Sequence, residues 1–341
     1  MSGTTTAPPA RRIPLLVLGL TALLALMLTA FVLPAVNSGP HDVPIAVAGP
    51  REAAEELADR IDEAQPGAFD VRLLADADAA RQAMGDRDIY GAVVVGGPRP
   101  ELLVAGAAST QIANTLRGLT PSLAGSAAEP AVPVTDLYPT TDDDPLGTGL
   151  SAGALPLVLG GYLAAMAISM AVARPRQRAV AAFGFAVVAG FALSALLRYG
   201  FGVIGGDYPL TALALTFVLA ATCWGIIGLR GVLGAPGLGL GAALMVLVGN
   251  PLSGLSGGPE WLPAGWGAFG QYLPPGAGGS LLRSVSFFDG AGSGPHLAVL
   301  TCWLVGGILL FLIGVRRERA AGKGAGPDAA EPAAPASAAA A

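Results

Sequence analysis

The sequence predicts a multi-span α-helical membrane protein, with about six transmembrane helices and a small α/β or α+β extracytoplasmic domain. Three observations lead there. Only 13% of the 341 residues are charged, about half the share of an ordinary soluble domain. The mean hydropathy of +0.61 represents more apolar surface than a soluble fold of this size can hide. The apolar residues also fall in long runs, broken by one extended polar gap from Asn37 to Leu150.

A helix needs about 20 apolar residues to cross the hydrocarbon core. The first run, residues 13–36, follows Arg11 and Arg12. A cleaved leader carries an apolar stretch of only about 7–15 residues, so this longer run is expected to stay as an anchor. Five more spans are expected at Ala152–Ala173, Ala179–Leu197, Leu210–Leu229, Val232–Gly249 and Leu297–Val315. The run at Val232–Gly249 is the weakest, because Pro236 and four glycines interrupt it. Such residues persist in lipid where neighbouring helices shelter the backbone, and Gly237 with Gly241 makes a small-xxx-small pair suited to close helix approach. Cys223 and Cys302 each sit beside a tryptophan in an apolar run and are expected to be small buried hydrophobes.

Basic residues give the direction. With six spans and the N-terminus inside, the inner segments hold Arg11, Arg12, Arg174, Arg176, Arg178, Arg230, Arg316, Arg317, Arg319 and Lys323. The outer ends and loops of the last five spans hold only Arg198 and Arg283. The expected organisation is therefore a cytoplasmic N-terminus (1–12), a first helix (13–36), an extracytoplasmic domain (37–150), a five-helix block (151–315) and a cytoplasmic tail (316–341). The tail is rich in Ala and Pro and is expected to be disordered. The location is the plasma membrane, with both termini cytoplasmic.

The polar gap holds 18 acidic residues, seven Arg and no Lys. Its pattern alternates in type: strand Pro44–Ala48, helix Glu52–Ala64 with Ala53, Leu57 and Ile61 on one face, strand Phe69–Leu74 and helix Ala77–Met84. Then come an apolar run Ile89–Val95, a hairpin partner Glu101–Val104, helix Ser109–Leu119 capped by Ser109, and a last strand at 131–137. Strands alternating with helices suggest a layered α/β or α+β unit.

No reactive constellation stands out, so no catalytic residue, cofactor or metal is expected, and no nucleic-acid partner. Gly96-Gly97-Pro98 lacks both phosphate-loop spacings and reads as a turn. Asp142-Asp143-Asp144 lacks the spacing of a calcium loop and reads as a solvated acidic run. His41 and His296 stand alone.

The stretch 250–295 is unusual: too rich in Pro and Gly for a span, yet studded with aromatic residues, which gather at membrane–water boundaries. Short helices at Pro259–Tyr272 and Gly279–Phe288 are expected to lie in or dip into the outer leaflet, with Arg283 pairing to Asp289. The candidate contact residues, chosen by placement, are Asn250, Trp261, Trp266, Tyr272 and Arg283.

This layout resembles the permease subunits of type-2 ABC exporters and the related phage-infection-protein-like bacterial membrane proteins. GALPLVLGGYL (Gly153–Leu163), NPLSG (Asn250–Gly254) and LPPGAGGSLLRSVSFFDG (Leu273–Gly290) are similar to bacterial members. The resemblance implies a homodimer in the lipid bilayer that moves an amphiphilic or lipid-like substrate outward, driven by a separate ATPase. The chain departs from that family in two places. Met1–Arg12 is too short and polar for an interface helix, and the loop at Arg174–Arg178 leaves little to couple to. The competing expectation is a non-transporting accessory or receptor protein acting through its external domain.

Overall fold

The computed structural model describes residues 12–97, 99–123 and 132–324. Most of the expected N-terminal segment, Pro98 of the glycine turn, Ala131 and the tail beyond Gly324 lie outside them.

After a first helix, α1 (Arg12–Val36), the chain builds a five-stranded sheet from β1 (Val43–Ala48), β2 (Phe69–Leu74), β3 (Gly91–Val94), β4 (Glu101–Val104) and β5 (Val134–Asp136). The order is β2-β1-β3-β4-β5. β1 pairs in parallel with both β2 and β3, β4 pairs antiparallel with β3, and β5 pairs in parallel with β4. The connections carry helices α2 (Arg51–Ala64), α3 (Ala77–Gly85), α4 (Thr110–Gly118) and the short α5 (Thr120–Leu123). Strand side chains alternate between faces, and β1 shows the result. Val43, Ile45 and Val47 pack with α2 and α4, while Ala46 and Ala48 pack with α3. The sheet is thus sandwiched, α/β in kind, with both faces covered.

The expected elements match closely, with one face corrected. On α2 the buried residues are Ala54, Leu57 and Ile61, and Ala53 is exposed. The i, i+3, i+7 spacing fits a 3.6-residue turn better than i, i+4, i+8. Ser109 does cap α4, accepting the N–H of Ile112 at 3.2 Å.

The rest is helical. The segments Ile13–Val36, Thr148–Ala171, Pro175–Gly200, Tyr208–Leu233 and Ser293–Ala320 are long and apolar enough to cross a membrane. They comprise α1, then α6 (Thr148–Ala171), α7 (Pro175–Ala195) prolonged by a π-helical turn (Leu196–Gly200), α8 (Tyr208–Leu233) and α12 (Ser293–Gly324). α8 is the hub: 72% of its apolar stretch is buried, against 28% for α6, α7 and α12 and none for α1. The expected disordered tail is helical at its start, because α12 runs on to Gly324.

The fifth expected span is overturned as a full crossing. Val232 and Leu233 belong to α8, which Gly234 ends with φ of 69°. Pro236 then restarts α9 (Ala235–Ala242), followed by a π-helical stretch to Gly249. Fifteen residues remain, about 22 Å of rise and short of a ~30 Å hydrocarbon core. Gly237 and Gly241 are buried against Leu229 and Ile226 of α8, as their spacing suggested.

Cys223 is buried, but Cys302 is exposed on α12. Apolar character predicts burial only where water is the solvent, and the outward face of this block is itself apolar, with Leu297, Val305 and Leu309 exposed beside it.

Candidate functional site

The two halves meet through residues 250–292. Beyond the π-helical stretch come a single 3₁₀ turn at Pro259–Trp261, α10 (Trp266–Gly270) and α11 (Pro274–Phe287). The expected helix at Pro259–Tyr272 is therefore two short turns, since Pro263 and Gly265 interrupt it. The expected Gly279–Phe288 helix starts five residues earlier, at the Pro274-Pro275 pair. Proline suits a helix's first turn, where its missing N–H is no loss. Residues Pro274–Ser286 are all buried, wedged among α6, α8 and α12. Tyr272, just before α11, accepts a 2.9 Å bond from Trp303 Nε1. Trp303 lies ten residues into α12, about 15 Å along it. α11 therefore begins at mid-height in the helical block and rises to the sheet.

At its upper end α11 completes the sheet's packing. Phe288 is buried in the α3-side core and stacks on Tyr138 at 4.7 Å. Trp261 packs against the core on the other side. Polar bonds tie the same junction. Ser109 Oγ donates to the Gly257 carbonyl at 2.8 Å. The backbone N–H groups of Gly39 and His41 donate to the carbonyls of Trp261 and Glu260.

Four ionisable groups gather here. Arg87 sits just past the end of α3 with φ of 65°, a left-handed position where glycine is the usual occupant. Its Nη1 donates to the Ser280 carbonyl at 3.1 Å and to Ser284 Oγ, and its guanidinium lies 5.2 Å above the Phe288 ring centre. Tyr90 Oη donates to Glu260 Oε2 at 2.6 Å. Arg283, only 7% exposed, donates from Nη2 to the Leu255 carbonyl at 3.0 Å.

Burial dominates the protonation of the two arginines and the phenol. It pushes the Arg87 pKa down, with Tyr90 and Glu260 opposing. It lowers Arg283 to about 10, reinforced by the like charge of Arg87. It raises the Tyr90 phenol, and the neighbouring Glu260 carboxylate raises it further. Arg87, Tyr90 and Glu260 line a cavity of about 240 Å³, together with Gln271, Ser280 and His296.

The residues chosen from sequence divide into three groups. Asn250 and Trp261 come together, lining a separate cavity of about 390 Å³ between the end of α1 and the 250–262 segment. Asn250 Oδ1 is buried there without a hydrogen-bond partner among the described residues. Trp266 and Tyr272 are exposed and reach neither cavity. Arg283 is buried at the junction, and its expected pairing with Asp289 does not form. Arg283 turns to Leu255, whereas Asp289, in a left-handed turn, lines an apolar groove with Leu210 and Leu297.

Arg87, Tyr90 and Glu260 escaped notice in the sequence. One signal was available: Glu260 is the only acidic residue between Asp207 and Asp289. No group of three or more His, Cys, Asp or Glu side chains among the described residues is arranged to hold a metal ion. Comparison of the chain with protein-family models gives no match, and comparison with curated protein sequences gives none either.

Proposed function

We propose that the chain is a multi-pass plasma-membrane protein with the sheet unit outside and both termini inside, and that it works as a permease-like subunit. In this reading a homodimer moves an amphiphilic or lipid-like substrate outward, using a separate ATPase. The observation that carries it is α11. A receptor domain needs one helix to hold it at a membrane. Here a buried helix begins at mid-height among three long helices and ends inside the core of the sheet unit. A shift of the helices against one another would therefore be felt by the sheet, as transport requires.

The direction rests on charge. The helix ends remote from the sheet hold Arg174, Arg176, Arg178, Arg230, Arg316, Arg317 and Arg319, a bias that supports a cytoplasmic location for that end. Single cysteines at Glu63 and Gln177, in a chain with Cys223 and Cys302 replaced by Ala, test it. An impermeant thiol reagent applied to cells should label the first only; the reverse would end this orientation.

A second reading, an accessory or receptor protein, is favoured by the turns at the remote end. Val172–Arg174 joins α6 to α7, and Gly234 alone separates α8 from α9. Neither offers an ATPase a helix to push. Purification in mild detergent decides between the two. A stoichiometric ATPase whose turnover rises on assembly supports the permease; a dimer or monomer with no nucleotide-hydrolysing partner supports the accessory protein.

A further inference from the structure

The junction cavity presents two opposite charges that do not meet. Arg87 and Glu260 both line it, yet no N···O approach of 4 Å or less joins them. Each is held from behind: Arg87 by Ser280 and Ser284 on α11, Glu260 by the Tyr90 hydroxyl. These hydrogen bonds hold both side chains in place. What remains open is specific. Nε and Nη2 of Arg87 and Oε1 of Glu260 make no hydrogen bond among the described residues, and none of them is sealed from the cavity. Retaining Arg87 at a left-handed backbone position, which costs an ordinary residue about 1 kcal/mol, keeps that donor edge in place.

The contents of the cavity follow from this lining. A simple anion would face Glu260. A simple cation would face Arg87, with Arg283 close behind. A neutral molecule would leave both charges unmatched. The volume, about 240 Å³, is that of roughly eight waters, ample for a two-carbon unit bearing a charge at each end. Arg283 lines a neighbouring cavity rather than this one, but its charge acts on Arg87 and adds positive potential at that end, which favours a phosphate there over a carboxylate.

We propose that this cavity binds a phosphate joined by a short linker to an ammonium group, the phosphate on Arg87 and the ammonium on Glu260. The chemistry is shared by a free phosphoamine and by an aminophospholipid headgroup. The inference does not depend on whether the chain exports anything.

Calorimetry on the purified full chain in an uncharged detergent tests it, with phosphoethanolamine, glycerol phosphate and ethanolamine as probes. Phosphoethanolamine should bind at least tenfold more tightly than either of the others. Glu260→Gln, which leaves an acceptor for Tyr90, should erase that preference while leaving glycerol phosphate binding unchanged or stronger. Arg87→Gln should abolish binding of both phosphates; if that variant misfolds, Glu260→Gln still decides. Nanodiscs separate the two sources. Loss of phosphoethanolamine binding in phosphatidylethanolamine discs but not in phosphatidylglycerol discs identifies a lipid headgroup, and equal binding in both identifies a free phosphoamine. The proposal is overturned if the preference survives Glu260→Gln. It is equally overturned if phosphoethanolamine shows no saturable binding and mass spectrometry finds no aminophospholipid retained by the purified protein.

Discussion

The sheet unit and α7, one helix of the helical block, bury opposite kinds of side chain. In the sheet, large residues are inside: Ile45, Met84, Leu102, Leu103 and Ile112 are nearly or fully inaccessible, while Glu52, Glu56 and Asp59 face outward on α2. On α7 the arrangement is inverted. Ala182, Ala186, Gly190 and Ser194 are buried along one stripe, while Val180, Phe183, Val187, Val188 and Phe191 are exposed. The contact between α8 and α12 goes further. A Cβ on Gly228 would meet the Gly307 carbonyl at 2.3 Å, and one on Gly314 would meet that of Gly231 at 2.4 Å. Water drives large apolar groups together. Lipid gives no such drive, and helices associate where small residues let backbones approach. α7 and the α8–α12 contact thus follow a packing rule unlike that of the sheet unit.

The sharpest way to break this contrast is to exchange large for small. Gly228→Leu should prevent recovery of a monodisperse protein, because the clash is with backbone and cannot relax. Gly184→Leu, on the exposed face of α7 with nothing within 4 Å, should fold as the parent does. In the sheet the rule reverses. Leu103→Ala should cost about 3 kcal/mol in thermal or denaturant unfolding, whereas Val188→Ala should change stability by less than about 0.5 kcal/mol.

At the junction, Arg87 tests whether the halves unfold together. Arg87→Ala removes two hydrogen bonds and keeps the unfavourable backbone, an expected loss of about 2 kcal/mol. Arg87→Gly removes the same bonds but relieves the left-handed strain, so its loss should be about 1 kcal/mol smaller. Hydrogen exchange in β1 and α11 should rise together in both variants; a rise in one alone would separate the halves.

Alkaline titration has a smaller effect. Tyr90 is raised above the ordinary phenol value of 10.0 in the folded chain, so its contribution is complete below pH 10 and is lost as pH climbs toward the folded value. Arg283, lowered to about 10 from 12.5, acts in the other direction: between those values the unfolded chain holds more protons, and stability gains with pH. Tyr90→Phe should therefore make the stability curve above pH 10 less steeply falling. The smallest effect should come from Arg51→Ala, which breaks an exposed pair with Glu55 and should leave the melting temperature unchanged within error.

Local pattern made most of the elements legible. Strand Phe69–Leu74 and the Ser109 cap follow from side-chain alternation and hydroxyl chemistry within a few residues. The fifth span falls short of its hydropathy because Val232 and Leu233 belong to α8 and Gly234 turns the chain. Cys302 is exposed against expectation, because apolar character does not say which side of an apolar helix a residue takes. The junction was hardly legible at all. Arg87 and Ser284 are 197 residues apart, and Tyr90 and Glu260 are 170 apart. Neither partner's own neighbourhood announces the other, apart from the isolation of Glu260 among apolar residues.

The sharing of Trp261 and Phe288 with the sheet also sets an order of events during synthesis. All five strands are made by Asp136, yet one face of the sheet lacks its full covering until Trp261 follows and the other until Phe288. At ordinary elongation speeds the interval from Asp136 to Phe288 is roughly 8 to 30 s. Through it the newborn sheet waits with an incomplete apolar layer. The interval is when a chaperone would find it, and when truncation within α11 would leave a domain made but never closed.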